Sequence, residues 1–101
     1  MSTPNHCFEI VHFAFGTDVP FEAQVSAMRA LDAWAVTQPG FVSRRCFHDS
    51  TARRWTDVIE WTTRGDAEAA MARSTHAPEA ARVFALIDGA SVQAGHFERI
   101  V

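Results

Sequence analysis

The amino-acid sequence predicts an α+β domain whose elements follow the order β-α-β-β-α-β. Three observations carry this. Two stretches with helical spacing of apolar residues, one from Phe21 and one from Ala67, each follow a strand-like segment. The segment Trp55–Thr62 (WTDVIEWT) sets Trp55, Asp57, Ile59 and Trp61 on one face and Thr56, Val58, Glu60 and Thr62 on the other, as a half-buried strand does. Turn-forming clusters punctuate the chain at Gly16-Thr17-Asp18, Gln38-Pro39-Gly40, Asp49–Arg54 and Thr63–Asp66.

Each element has a local reason. His6–Phe15 (HCFEIVHFAF) is β-branched and aromatic, too short for a good helix, and apolar on both faces, so it reads as a central strand. Asp18 is the expected N-cap of the first helix, and Pro20 suits its first turn. Phe21, Val25, Met28, Leu31 and Ala35 line one face of that helix, which runs for about 17 residues before Gln38-Pro39-Gly40 stops it. Phe41–His48 and Trp55–Thr62 form the second and third strands around a polar hairpin connection. The second helix starts near Ala67, is interrupted at Ser74–Pro78 because proline cannot sit inside a helix, and resumes through Ala80, Val83, Phe84 and Ile87. Gly89 is the expected C-cap glycine and Ser91–Ile100 the last strand. Two strand–helix–strand halves make a ferredoxin-like split βαβ sandwich, a four-stranded antiparallel sheet with both helices on one face. Right-handed crossovers then place the first and third strands in the middle.

The composition fits one domain over residues 1–101. Hydrophobic residues make up 48% and charged residues 21%, a globular balance. There is no lysine and no tyrosine, so Schiff-base lysine chemistry, a P-loop lysine and phenolic acid catalysis are excluded. A net charge of −3 without basic clusters speaks against nucleic acid, and no apolar run is long enough for a membrane span. The N-terminal segment lacks the features of a signal peptide, and two cysteines make no disulfide framework, so a cytoplasmic protein with reduced thiols is expected. The His and Cys positions have no metal-site spacing, and no Gly-rich phosphate loop or Ser–His–Asp elbow is present, so neither a metal nor another cofactor is expected. The uncovered sheet face would carry large apolar residues from every strand, which implies a homodimer packed sheet to sheet.

The segments Gln38-Pro39-Gly40-Phe41-Val42, Asp57-Val58-Ile59-Glu60-Trp61, Asp66-Ala67-Glu68-Ala69-Ala70 and the broken Ser74-Thr75-His76 resemble the dimeric α/β-barrel superfamily, most closely its antibiotic-biosynthesis-monooxygenase-like (ABM) branch. His12-Phe13-Ala14-Phe15 is similar to the first strand of the stress-responsive A/B-barrel branch. The resemblance implies two protomers packed sheet to sheet into a barrel, with a small-molecule pocket between sheet and helices. Some members oxygenate aromatic polyketides or quinols without metal or flavin, and others degrade haem. The haem-degrading set, an Asn on the first strand with Trp and His on the second helix, is not matched. The Asn/Trp/Arg set of the polyketide oxygenases is matched only by Trp61 and a choice of arginines.

Candidate site residues follow from the strands. His12, mid-strand beside Phe8 and Ile10, is a candidate base in a pocket, and His96 on the fourth strand could share its face. Asp57 lies between apolar neighbours and needs a partner, either a histidine or Arg44 or Arg45. Trp61 could stack on a flat ligand, and His76 sits at the helix break where pocket lids occur. Each has a structural alternative: a core histidine, an ion pair, an interface tryptophan and a surface-loop histidine. The functional readings are a cofactor-independent monooxygenase acting on an aromatic or quinol-type substrate, with His12, His96 and Asp57 catalytic and Trp61, Phe8, Ile10 and His76 binding the ligand, or a non-catalytic ligand-binding dimer. The RNA-recognition order is shared, but WTDVIEWT lacks glycine and any basic residue and the chain is acidic, so that reading is set aside.

Overall fold

The computed structural model describes residues 5–101. The elements are β1 (Cys7–Phe13), α1 (Phe21–Ala35), β2 (Phe41–Asp49), β3 (Arg54–Trp61), α2 (Arg64–Ser74), α3 (Pro78–Leu86) and β4 (Gln93–Phe97). The sheet is antiparallel throughout in the order β2-β3-β1-β4, the ferredoxin-like arrangement with β1 and β3 central.

The helix boundaries differ from the sequence expectation where backbone hydrogen bonds override local signals. Asp18 is not the cap of α1. Val19 N–H donates to the Gly16 carbonyl and closes a turn that contains Asp18, and Pro20 takes the cap position without a side-chain hydrogen bond. Thr63 caps α2, its hydroxyl accepting from Asp66 N–H, and so starts the helix at Arg64 rather than near Ala67. The interrupted second helix is two helices, with Pro78 in the first turn of α3, where its missing N–H does no harm. Gly89 is not a helix cap. Gly16 N–H to Leu86 O and Asp88 N–H to Ala14 O, both 2.9 Å, pull the chain into an extended bridge before the glycine is reached. Ser91 lies before β4 because its hydroxyl accepts from Ala14 N–H at 2.8 Å and so belongs to the end of β1. Gly40 has φ +81°, and a side chain there would land on the Asp66 carboxylate, so this turn needs glycine.

Register assigns the two sheet faces. The helix-covered face runs in four rows. The first pairs Cys7 with Trp61, and the second sets His96, Glu9, Ile59 and Arg44 side by side. The third sets Ala94, Val11, Asp57 and Cys46, and the fourth pairs Phe13 with Trp55 and His48. A bulge between Phe41 and Ser43 lets both Phe41 and Arg44 face the helices, although simple alternation would oppose them. Phe41 then meets Trp61 edge to face with centroids 6.0 Å apart.

The core forms at the two ends of this face. One cluster gathers Phe13, Phe15, Ala27, Met28, Trp55 and Val83; the other gathers Cys7, Ile59, Trp61, Ala67 and Ala70. Small residues let α2 approach closely, with Ala67 and Ala70 buried at helical spacing. The polar rows with Glu9, Arg44 and Asp57 lie between the clusters.

Candidate active site

A cavity of about 380 Å³ fills the space between the two clusters. Its floor is the sheet: Glu9, Val11, Arg44, Asp57, Ile59 and Trp61. Leu31 and Trp34 of α1, Met71 and Ser74 of α2 and Phe84 of α3 form its walls, and Val92 and Ala94 close the side of β4. The volume suits a small organic molecule, and the walls are apolar apart from the floor.

Asp57 is held by Arg44. The guanidinium donates from Nε to Oδ1 at 2.9 Å and from Nη2 to Oδ2 at 2.8 Å, a two-point fork. Nη1 donates to the Met28 carbonyl at 2.9 Å and lies 3.6 Å from Asp32 on α1. Asp57 is 4% exposed, and the Arg44 side chain 1%. Burial works against the charged guanidinium, but the hydrogen bonds and charge of Asp57 outweigh it and hold Arg44 above its ordinary pKa. The thiol of Cys46 donates to Asp57 Oδ1, and burial with the nearby carboxylate pushes it up to about 12, so it is an inert thiol.

Glu9 is different. It is 4% exposed and has no cationic side chain in contact among the described residues. Its Oε1 accepts from Trp61 Nε1–H at 3.1 Å. Burial pushes its pKa up and the negative Asp57 adds to this; the Trp61 hydrogen bond, His96 and Arg44 oppose it, and the net shift is upward. An apolar cavity holding one carboxyl without a counter-ion is the arrangement that suits proton transfer.

The sequence candidates divide between the two faces. Asp57 and Trp61 line the cavity. His96 is on the same face, opposite Glu9, with its buried Nε2 unpartnered among the described residues. His12 does not share that face. It is exposed on the open side, with Nδ1 2.8 Å from the Thr56 hydroxyl, and it pairs with Gln93 instead of His96. Phe8 and Ile10, of the same strand parity, also leave the pocket for the open face. His76 is exposed in the turn between α2 and α3, whereas Ser74 and Thr75 just before it border the cavity. The anticipated partner of Asp57 is Arg44, since β2 parity sends Arg45 to the other side. Glu9 and the choice of Arg44 were missed. The signal for Glu9 was present as a lone carboxylate inside a strand apolar on both faces.

Among the described residues no three His, Cys, Asp or Glu side chains cluster as a metal site needs, and no helix is long and apolar enough to cross a membrane.

The fold is the ferredoxin-like one, with a cavity between sheet and helices. No family model and no curated protein matches the sequence. Among solved structures, it is similar to SnoaB, a cofactor-independent oxygenase from Streptomyces nogalater, at 20% identity over 96% of this chain and 95% of that one, with a TM-score of 0.79. It is similar to a provisional antibiotic biosynthesis monooxygenase from Nitrosomonas europaea, at 15% identity over 99% of this chain and 95% of that one, TM-score 0.74. A dimeric ferredoxin-like protein of unknown function from Jannaschia sp. matches at 15% identity over 93% of this chain and 99% of that one, TM-score 0.69. At these identities the likeness is one of fold.

Two consequences are measurable by urea unfolding. Arg44→Met strands a buried carboxylate and destabilises the protein by about 3–5 kcal/mol, whereas Arg44→Met combined with Asp57→Leu recovers most of that loss. Glu9 has a pKa raised on folding, so the folded protein holds its proton more tightly than the unfolded chain and stability falls as pH rises above the ordinary value of 4.5. Glu9→Gln removes this dependence, and its stability advantage over the native chain grows from pH 4.5 upward until Glu9 is fully ionised.

Proposed function

We propose that the chain binds a flat, weakly acidic aromatic or quinol-type molecule in the sheet–helix cavity and oxygenates it with O₂ without a bound cofactor. The observation that carries this is the cavity itself: apolar walls over a floor that holds Trp61, a fixed Arg44–Asp57 pair and an unneutralised carboxyl at Glu9. In such a reaction a substrate methylene loses a proton, and the resulting carbanion passes electrons to O₂ and forms a C–O bond. The hydroperoxide then sheds water, so that CH₂ and O₂ become C=O and H₂O. The walls exclude bulk water, and Trp61 and Trp34 offer ring faces to a planar ligand. The name of SnoaB supports the same class of reaction. A reduced cytoplasmic setting agrees with two free cysteines.

A second reading, a non-catalytic ligand-binding dimer, is favoured by the placement of His12 and His76 in solvent and by the absence of any asparagine from the cavity. The Glu9 carboxyl, on the cavity floor without a counter-ion in contact among the described residues, supports the oxygenase reading because proton abstraction needs an acceptor there.

The working unit we propose is a homodimer through the open sheet face. That face carries Phe8, Ile10, Val58, Phe47 and Phe97, from all four strands. Phe47 is 55% and Phe97 52% exposed, and the Phe97 ring folds over Gly95, where a side chain would collide with it. The dimeric Jannaschia protein of the same fold is consistent with this.

Sedimentation at micromolar concentration gives twice 11.2 kDa, and a sole monomer overturns the dimer. Oxygen electrodes record uptake above background with at least one member of a panel of anthrones and quinols. Uptake at background for all of them, with the ligands nevertheless bound, decides for the second reading.

A further inference from the structure

We infer that Glu9 is the proton acceptor of this cavity, and that it selects neutral aromatic molecules with an ionisable O–H or C–H over anionic ones. The inference rests on the oxygenase reading for its reaction, but its recognition half stands on the cavity alone.

The floor contains two carboxylates and one guanidinium. Arg44 gives its Nε–H and an Nη2–H to Asp57 and an Nη1–H to the Met28 carbonyl, and it makes no hydrogen bond to Glu9 among the described residues. Trp61 occupies Oε1 of Glu9 and fixes the plane of the carboxyl, while Oε2 has no hydrogen-bond partner among the described residues and the side chain lines the cavity. The groups that act on Glu9 are Arg44 from β2, Asp57 from β3 and His96 from β4, with Cys7 two residues before it on β1. From the helices come Leu31, Trp34, Met71, Ser74, Thr75 and Phe84, none of which titrates. A ligand in the cavity therefore meets the unpartnered Oε2 of Glu9, while the cation that lines the cavity, Arg44, is paired with Asp57.

The proton step balances without any further reactant. The substrate C–H or O–H bond breaks, its proton forms an O–H bond on Glu9 Oε2, and the electron pair stays on the substrate. The cavity's net charge is unchanged, because a charge localised on a desolvated carboxylate moves onto a delocalised aromatic anion. The O–H of Glu9 then faces that anion as a donor. An arene that arrives already charged gains none of this: it meets Glu9 as a like charge in an apolar space. The same two-atom arrangement explains why Trp61 is a positioning residue for Glu9 as well as a ring face for the ligand.

The test uses the full chain, native and Glu9→Gln, with 2-naphthol, naphthalene and 2-naphthoate titrated by calorimetry. The glutamine keeps an oxygen for Trp61 and removes the titrating group. On the alkaline side of the Glu9 titration, where its carboxylate is ionised, the native chain binds 2-naphthol about tenfold more tightly than naphthalene or 2-naphthoate, as expected for a hydrogen bond to a charged acceptor. Glu9→Gln loses this preference and keeps its affinity for naphthalene, which also shows that it is folded. Where an oxygenated substrate is in hand, kcat/KM of the native chain rises with pH to a plateau, whereas that of Glu9→Gln is flat and lower by about 10²–10⁴-fold. Equal affinity of the native chain for the three ligands, or a naphthol preference that survives in Glu9→Gln, overturns the inference. Oxygen uptake that Glu9→Gln retains in full overturns it too while leaving the oxygenase reading intact. A Glu9-dependent naphthol preference without oxygen uptake on any substrate overturns the oxygenase reading and leaves Glu9 as the recognition group.

Discussion

A guanidinium with 1% of its side chain exposed has to be satisfied inside the protein, and the way Arg44 is satisfied shapes the rest of the molecule. It reaches from the edge strand β2 diagonally across one row to Asp57 on β3, and upward to the carbonyl of Met28 on α1. One side chain thus ties two strands and a helix at the point where the apolar core is interrupted. Without it the gap between the two clusters would be a line of uncompensated polarity. With it, the gap is a cavity with a rigid floor.

The same pairing leaves Glu9 alone. Asp57 takes the guanidinium, so the second buried carboxyl accepts a side-chain hydrogen bond from the indole N–H of Trp61 alone among the described residues, and desolvation outweighs it. That is a destabilising arrangement, because an unpaired buried carboxyl favours its protonated form and weakens the fold as pH rises. A better-paired Glu9 would make a firmer sheet.

The two sheet faces divide the work between them. Odd-numbered residues of β1 and β3 face the helices and build the cavity. Even-numbered ones face outward, where Phe8, Ile10 and Val58 mix with polar groups such as the His6–Glu60 contact at 2.5 Å and the His12–Thr56 contact. The proposed dimer contact and the proposed ligand cavity therefore lie on opposite sides of the same strands. A substitution on one face reaches the other only through the backbone.

Much of this was legible in the residues. The alternation of WTDVIEWT puts Trp55, Asp57, Ile59 and Trp61 on one face, and the structure buries all four. The helix break at Pro78 and the central place of β1 follow from local chemistry that tertiary packing does not contest. Which face of β1 turns inward was not legible, because that strand is apolar on both sides and its period carries no sign. His12, Phe8 and Ile10 were therefore assigned to the cavity when the parity that faces it belongs to Glu9 and Val11. Nor could the choice between Arg44 and Arg45 be read from two adjacent arginines, since the bulge at Phe41–Ser43 resets the parity of β2 through a backbone irregularity that leaves no residue signature. Element order and the buried face of β3 are properties of short segments, so the residues specify them directly. Registry between strands, and with it the meeting of Arg44, Asp57, Glu9 and Trp61, comes from residues up to 52 positions apart and exists only once the sheet is assembled.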